Sequence, residues 1–385
     1  MEQTIKLYDA DSHLYDFDAS VISCEKTDKG FAIVLDKTAF FPEGGGQPAD
    51  EGTLNGIAVT DVQIKDGVIT HTTAEEIPAG SAIKGAVDSE IRFRRMQNHS
   101  GEHIVSGLIH KLFGYNNVGF HMGSEDVTLD LDGVLTREDL DKIEMLANRA
   151  VYENVNVRAE YPSPEILKDL DYRSKLDLTE NVRIVTIEGY DVCACCAPHV
   201  NKTGEIGIIK LLDFLKYKGG VRIHMLCGFD ALEDYNRRYK NVAAISAKLS
   251  AKQAEVYEAV ERLSAELSAE KQAAGELKRQ LVAMKIAALE PTDGNMVLVE
   301  KDMDMLNLRN LVNEAVQLCG GICAAFSGSD ENGYNYIIAS KNVPLRAEAK
   351  AINAALNGRG GGKDEMIQGS AKASEAEIRA YFLNN

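Results

Sequence analysis

The chain has 385 residues, enough for two or three separately packed domains, with 45% hydrophobic and 26% charged residues, as in soluble globular proteins. No apolar run approaches the ~20 residues of a membrane span, and the start, Met-Glu-Gln-Thr-Ile-Lys, lacks the basic-then-apolar order of an export signal, so no membrane partner and a cytoplasmic location are expected. A formal net charge of -17 argues against a general polyanion binder, and seven cysteines without an export signal argue against a disulfide framework.

In chain order, residues 1 to about 90 read as β-rich. Phe31 to Leu35 and Val62 to Ile64 are short strand-like runs, and Asp66-Gly67 between Val62–Lys65 and Val68–His71 signals a hairpin. Strands at this spacing predict a small β-barrel. Residues 91–235 read as mixed α/β. Ile91 to Phe113 is helical, Arg137 to Glu153 is a second, amphipathic helix, and Val182–Thr186 and Ile206–Lys210 are strand-like. Residues 236–290 hold no proline and carry apolar positions at 3/4 spacing, which predicts a long helix or helical hairpin with Gly275 marking a break. Residues 291–385 read as a compact α/β unit, with strands at Met296–Glu300 and Tyr336–Ala339, a helix from Leu306 to Leu318 and a glycine-rich loop from Gly358 to Gly362. The fold class expected is α+β.

Two pairs of residues carry chemistry. His99 and His103 lie four apart in a helical stretch, so both imidazoles leave one face about a turn apart. Cys195 and His199 repeat the spacing about a hundred residues later, in a turn, because Pro198 disfavours a helix there. Together they form a His3Cys set suited to zinc. Four protein ligands resemble a closed structural site, and a catalytic role then needs coordination to expand or one ligand to yield. Two other readings compete. His99-Ser-Gly-Glu102-His103 fits the inverted zinc-protease pattern with Glu102 as general base, and Cys193-x-x-Cys196 fits a structural zinc or redox pair. Basic stretches, Arg92, Arg94, Arg95 and Lys111, then Lys210, Lys216, Lys218 and Arg222, flank the ligands and suit modest, salt-sensitive contact with RNA.

These residues also match a known family. Gln97-Asn-His99-Ser-Gly-Glu-His103-Ile resembles the His-x-x-x-His motif of the alanyl-tRNA editing domain, and Cys195-Cys-Ala-Pro-His199-Val-Asn-Lys-Thr-Gly204 resembles its Cys-x-x-x-His partner. Thr38-Ala-Phe-Phe-Pro42-Glu-Gly44-Gly45-Gly46-Gln47 looks like the family's glycine-rich motif, and Lys218-Gly-Gly-Val-Arg222 follows its pattern. Gly358-Arg-Gly-Gly-Gly362-Lys looks like the signature of the DHHA1 domain. The likeness covers nearly the whole chain and is closest in layout to the long form of the AlaX editing family.

The resemblance implies four regions: a β-barrel at 1–90, a zinc editing domain at 91–235, a helical linker at 236–290 and a DHHA1-like domain at 291–385. It implies zinc on His99, His103, Cys195 and His199, and trans-editing hydrolysis of Ser-tRNA(Ala), or Gly-tRNA(Ala). The partner is the acceptor end of tRNA(Ala), with a homodimer through the C-terminal region. Gly45 and Gly46 would let backbone approach the aminoacyl group, with Gln47 hydrogen-bonding. Thr38 or Thr128 would read the serine hydroxyl, and His121 would line the pocket. Zinc would either activate water or position the substrate amine. Glu102 has no required role in the family. The chain lacks the Asp-His-His of DHHA1-bearing phosphoesterases, and its β-rich start leads straight into the editing motifs, so hydrolysis without aminoacylation is expected. The alternative is a tRNA-binding protein whose zinc is purely structural.

Overall fold

A computed structural model describes residues 2–174 and 181–384. They cluster into two units, Met1–Ala244 and Ile245–Asn385.

The first unit opens with β1 (Asp16–Thr27), β2 (Gly30–Leu35), β3 (Gly52–Leu54), β4 (Ile57–Lys65), β5 (Val68–Thr73) and β6 (Ala82–Val87). They pair in the order β1-β2-β5-β4-β3-β6, and the β6–β1 pairing closes the ring into a barrel. Alternate residues point inward, and Ile33, Leu35, Leu54, Val62, Ile69 and Ile83 fill the interior. The Asp66-Gly67 hairpin turn joins β4 to β5, with φ of 52° and 80°, the primed-turn conformation that matches strand twist.

Helix α1 (Ser89–Phe113) follows directly. Asp88 caps it by accepting from the amides of Glu90 and Ile91, and Gly114 ends it at φ 72°. Its middle is buried nearly all round, so its polar residues there need protein partners. Strands β7 (Asn117–Met122) and β8 (Val127–Leu131) come next. Helix α2 (Arg137–Glu153) carries a Thr136/Asp139 capping box. Strands β9 (Val157–Glu160), β10 (Ile184–Ile187) and β11 (Asp191–Ala194) form a three-stranded antiparallel sheet. Strands β12 (Ile209–Tyr217) and β13 (Gly220–Cys227) complete a four-stranded sheet in the order β12-β13-β8-β7. The core between this sheet, α1 and α2 is built from Ile104, Leu108, Leu129, Ile143 and Ile223 among others.

Barrel and α1 are joined by a buried ion pair. Arg92 on α1 bonds Asp50 through both Nε and Nη2, and its remaining donors reach the carbonyls of Ser12 (3.0 Å) and Ala39 (2.6 Å). Both side chains are fully buried, so the pair is sustained by this complete hydrogen bonding.

Helix α3 (Gly228–Leu249) ends the first unit and starts the second. It stops at Ser250, which is left-handed at φ 51°, and α4 (Val256–Ala287) follows. Gly275 makes no break: α4 runs through it unbroken, since a single glycine costs a helix only ~1 kcal/mol. The second unit then forms a sheet from β14 (Met296–Glu300), β15 (Ile322–Ser329), β16 (Gly333–Ser340), β17 (Arg359–Gly362) and β18 (Met366–Ala371). Their order is β14-β15-β16-β18-β17, with only the β14–β15 pair parallel. Helices α5 (Met305–Ala315), α6 (Leu345–Ala355) and α7 (Glu375–Leu383) pack on it. The glycine-rich segment expected as a loop is the edge strand β17. Its Gly360 lies so close to Tyr336 that a Cβ would fall 2.2 Å from the phenol oxygen. Among the described residues no helix is long and apolar enough to cross a membrane.

Candidate metal centre

Four side chains from two chain segments converge. His99 and His103 leave one face of α1, as their spacing dictates. Cys195 and His199 come from the turn after β11, held by Arg183, whose Nη1 donates to the carbonyls of Cys195 (3.1 Å) and Ala197 (2.8 Å). The ligand atoms of all four residues lie within 4.8 Å of one another. Cys195 Sγ is 3.6 Å from His99 Nε2 and 3.4 Å from His199 Nε2.

Each imidazole is anchored through its other nitrogen. His99 Nδ1 meets Gln47 Oε1 at 2.8 Å, His103 Nδ1 meets Asp191 Oδ2 at 2.9 Å, and His199 Nδ1 meets Ser100 Oγ at 3.0 Å. Asp191 is itself gripped by Arg173, with Nε and Nη2 at 2.7 and 2.9 Å. With an oxygen on every Nδ1, the Nε2 atoms are left to face the cluster. This is how protein ligands of a metal are oriented.

The glycine-rich motif supplies one anchor. Gly44 and Gln47 exchange backbone hydrogen bonds across Gly45 (φ 62°) and Gly46 (φ 85°), a two-residue turn that needs positive φ twice. A Cβ on Gly46 would lie 2.2 Å from the Phe120 carbonyl, whereas one on Gly45 would meet only Cys196 Sγ at 4.0 Å. The turn thus sets Gln47 behind His99. Gln47 is buried, and its Nε2 has no partner among the described residues.

Burial pushes the Cys195 thiol up, but the neighbouring His99 and His199, with hydrogen bonds from His103 and His199, outweigh it and hold the thiol well below its usual range. Burial, helped by His103 and His99 and opposed by Cys195, pushes His199 down to about 3. Burial opposes charge on His103 too, yet its bond to Asp191 raises it well above the ordinary histidine value. The neighbouring imidazoles thus favour the thiolate form of Cys195, the form that ligates a metal. A tetrahedral zinc with ~2.05 Å nitrogen and ~2.3 Å sulfur bonds has nitrogen–sulfur edges of roughly 3.5 Å. The donor types and the 3.4 and 3.6 Å separations fit such an ion. Asp191 and Cys193 form a second group with His103, but Asp191 is already committed to His103 Nδ1 and Arg173.

A cavity of about 880 Å³ opens on the cluster, bounded by His99, His103, Cys195, Glu102, Gly45 and Phe120 among others. Thr38 does not join it. Its hydroxyl accepts from the Phe40 amide (3.1 Å) and donates to His71 Nε2 (2.9 Å), whose Nδ1 donates to the Ile33 carbonyl, so it is spent inside the barrel. Thr128 and His121 are also outside the cavity wall, on β8 and β7. Cys193 and Cys196 line it. The expected basic patches are largely neutralised. Arg92 is buried on Asp50, Arg94 pairs with Asp230 and Glu233, Arg95 with Glu51, Lys210 with Glu144 and Arg222 with Asp130. Lys111 and Lys6 do line the cavity. Asp191, Arg173 and Arg183 escaped the sequence reading because no fixed spacing marks them. Ser100 lay inside the histidine motif and its role was legible only in three dimensions.

Residues 182–224 match the family described as Threonyl and Alanyl tRNA synthetase second additional domain, and residues 8–91 match tRNA synthetases class II (A). The chain is 27% identical to the alanyl-tRNA editing protein AlaX-L of Pyrococcus horikoshii, over 97% of this chain and 96% of that protein. It is 29% identical to the alanine–tRNA ligase of Ignicoccus hospitalis over 94% of this chain, but spans only 40% of the ligase. Among solved structures, the C-Ala domain of Aquifex aeolicus alanyl-tRNA synthetase aligns with 23% of this chain and 86% of its own at 24% identity, with a TM-score of 0.21, too low to bear on the fold.

Proposed function

Since this chain belongs to the AlaX-type alanyl-tRNA editing family, we propose that it hydrolyses the ester of mischarged Ser-tRNA(Ala), or Gly-tRNA(Ala), acting in trans on the acceptor end. The observation that carries the reading is the convergence of three anchored imidazoles and a cysteine sulfur, with His99, His103 and Cys195 on the wall of one large cavity.

His99, His103, Cys195 and His199 would hold zinc, which when bound would supply Lewis-acid polarisation of an ester carbonyl or a water. The chain's own residues do the rest. Gln47, Asp191 and Ser100 fix the imidazole planes, so binding costs little reorganisation. The Gly45-Gly46 turn and Phe120 shape one wall and leave room for a small aminoacyl group. Lys6 and Lys111 would meet the phosphates of the terminal nucleotides. Discrimination against alanine needs a polar partner for the serine hydroxyl, because leaving a buried partner unpaired penalises the shorter side chain. The Thr38 hydroxyl is already engaged with His71 and the Phe40 amide, which argues against it in that role.

One observation favours a second reading. Four protein ligands complete a tetrahedron, as in structural zinc sites, and would suit a tRNA-binding protein without catalysis. Chelation and reloading separate the two. Under the editing reading, deacylation falls with zinc content and returns with it while the fold persists. Full activity in metal-free protein would contradict it.

A further inference from the structure

Glu102 lines the cavity beside His99 and His103 but stands outside the ligand set. It is buried, on α1, one residue before His103. Its hydrogen bonds are one-sided. Ser106 Oγ and Asn117 Nδ2 both donate to Oε1, Asn117 at 2.6 Å, while Oε2 has no hydrogen bond among the described residues. Asn117 Oδ1 accepts from the Gly119 amide at 3.0 Å, which fixes the amide with its nitrogen toward Glu102. The carboxylate is thus locked at one oxygen and unoccupied at the other.

No ion pair to Glu102 occurs among the described residues. The cation nearest in kind, Arg173 on the same cavity wall, is committed to Asp191 through two bonds. Arg173 lies near enough to feel the charge of Glu102 but gives it no hydrogen bond, so a buried carboxylate with one oxygen free of hydrogen bonds on a cavity wall suits a charged donor from a ligand there. An aminoacyl ester carries one cation close to the scissile bond, the α-ammonium on the carbon next to the carbonyl. We propose that Glu102 receives the α-ammonium of the aminoacyl group through Oε2, orienting the ester over the metal centre. The inference rests on the editing reading above.

The test compares Ser-tRNA(Ala) with the α-hydroxy ester made by deaminating it, in single-turnover hydrolysis by the full, zinc-loaded chain. Each rate is divided by its uncatalysed rate, which removes the intrinsic activation by the amine. Wild type should prefer the aminoacyl ester by about tenfold to a hundredfold, the range of a charge-assisted hydrogen bond. Glu102→Gln should lose that preference, keep its zinc and still cleave the hydroxy ester. Equal normalised wild-type rates on the two esters would overturn the proposal, as would a Glu102→Gln that slows both alike, the mark of a mere tether to Asn117. Cleavage of neither ester by wild type would sink the editing reading first and this inference with it. The wild-type comparison stands even if Glu102→Gln misfolds.

Discussion

Asp191 shows how much of the centre depends on residues that bind nothing themselves. It fixes His103 at 2.9 Å and is fixed in turn by Arg173. Asp191→Asn should therefore weaken zinc binding about ten- to a hundredfold, read by competition with a chromophoric chelator. Unchanged affinity would show that His103 needs no anchor. His71 makes a second residue-scale case. It is fully buried, and burial lowers it from 6.5 to about 4, with its ring neutral between Thr38 and the Ile33 carbonyl. The unfolded chain then binds the proton the native chain refuses. Its contribution is complete above about pH 6.5 and is lost as pH falls toward 4. Between pH 7 and pH 5 that loss is about 2 kcal/mol, and denaturant unfolding should show His71→Gln losing less stability over this interval than wild type. The clustering of His99, His103, Cys195 and His199 was legible in the sequence because helix and turn geometry turn x-x-x spacing into proximity. Their anchors were not, since Asp191 and Gln47 reach the histidines only through tertiary packing.

At the scale of elements, the hairpin turn after Gly44 carries the anchor of His99. Gly46→Ala places a Cβ against the Phe120 carbonyl at φ 85° and should cost roughly 3 kcal/mol, whereas Gly45→Ala meets only Cys196 Sγ at ordinary contact distance and should cost about 1 kcal/mol for its left-handed backbone. Thermal or denaturant unfolding of the two variants checks the difference, and equal costs would deny the close approach to β7. The elements read best from sequence were those with strong local signals: α1, the amphipathic α2 and the Asp66-Gly67 hairpin. Non-local pairing decided the misreadings. The Gly358–Gly362 segment has Arg359 as its one side chain beyond hydrogen and no apolar one to advertise a strand, yet β18 pairs with it. Ile206 looked continuous with the strand beginning at Ile209, but it ends a short 3-10 turn instead.

Across the whole molecule, the charge is -17, and most of the basic residues flanking the metal centre are tied up in ion pairs. We therefore place much of tRNA capture in the second unit, including Arg359 and Lys363 at its glycine-rich edge, as part of the proposal. Removing residues 250–385, which keeps α3 whole, should raise the apparent Michaelis constant more than it lowers turnover, and should flatten its salt dependence. A folded, zinc-loaded truncation that binds tRNA as tightly as the full chain would instead assign that unit to self-association, for which α4 offers exposed Leu263, Leu267, Leu277 and Leu281. The central claim, a hydrolytic centre rather than a structural zinc, is tested most directly by single-turnover deacylation of purified Ser-tRNA(Ala) and Ala-tRNA(Ala) by the zinc-loaded chain. We expect rapid release of serine with alanine largely retained; release of neither above the uncatalysed rate, with tRNA bound and zinc in place, would contradict it.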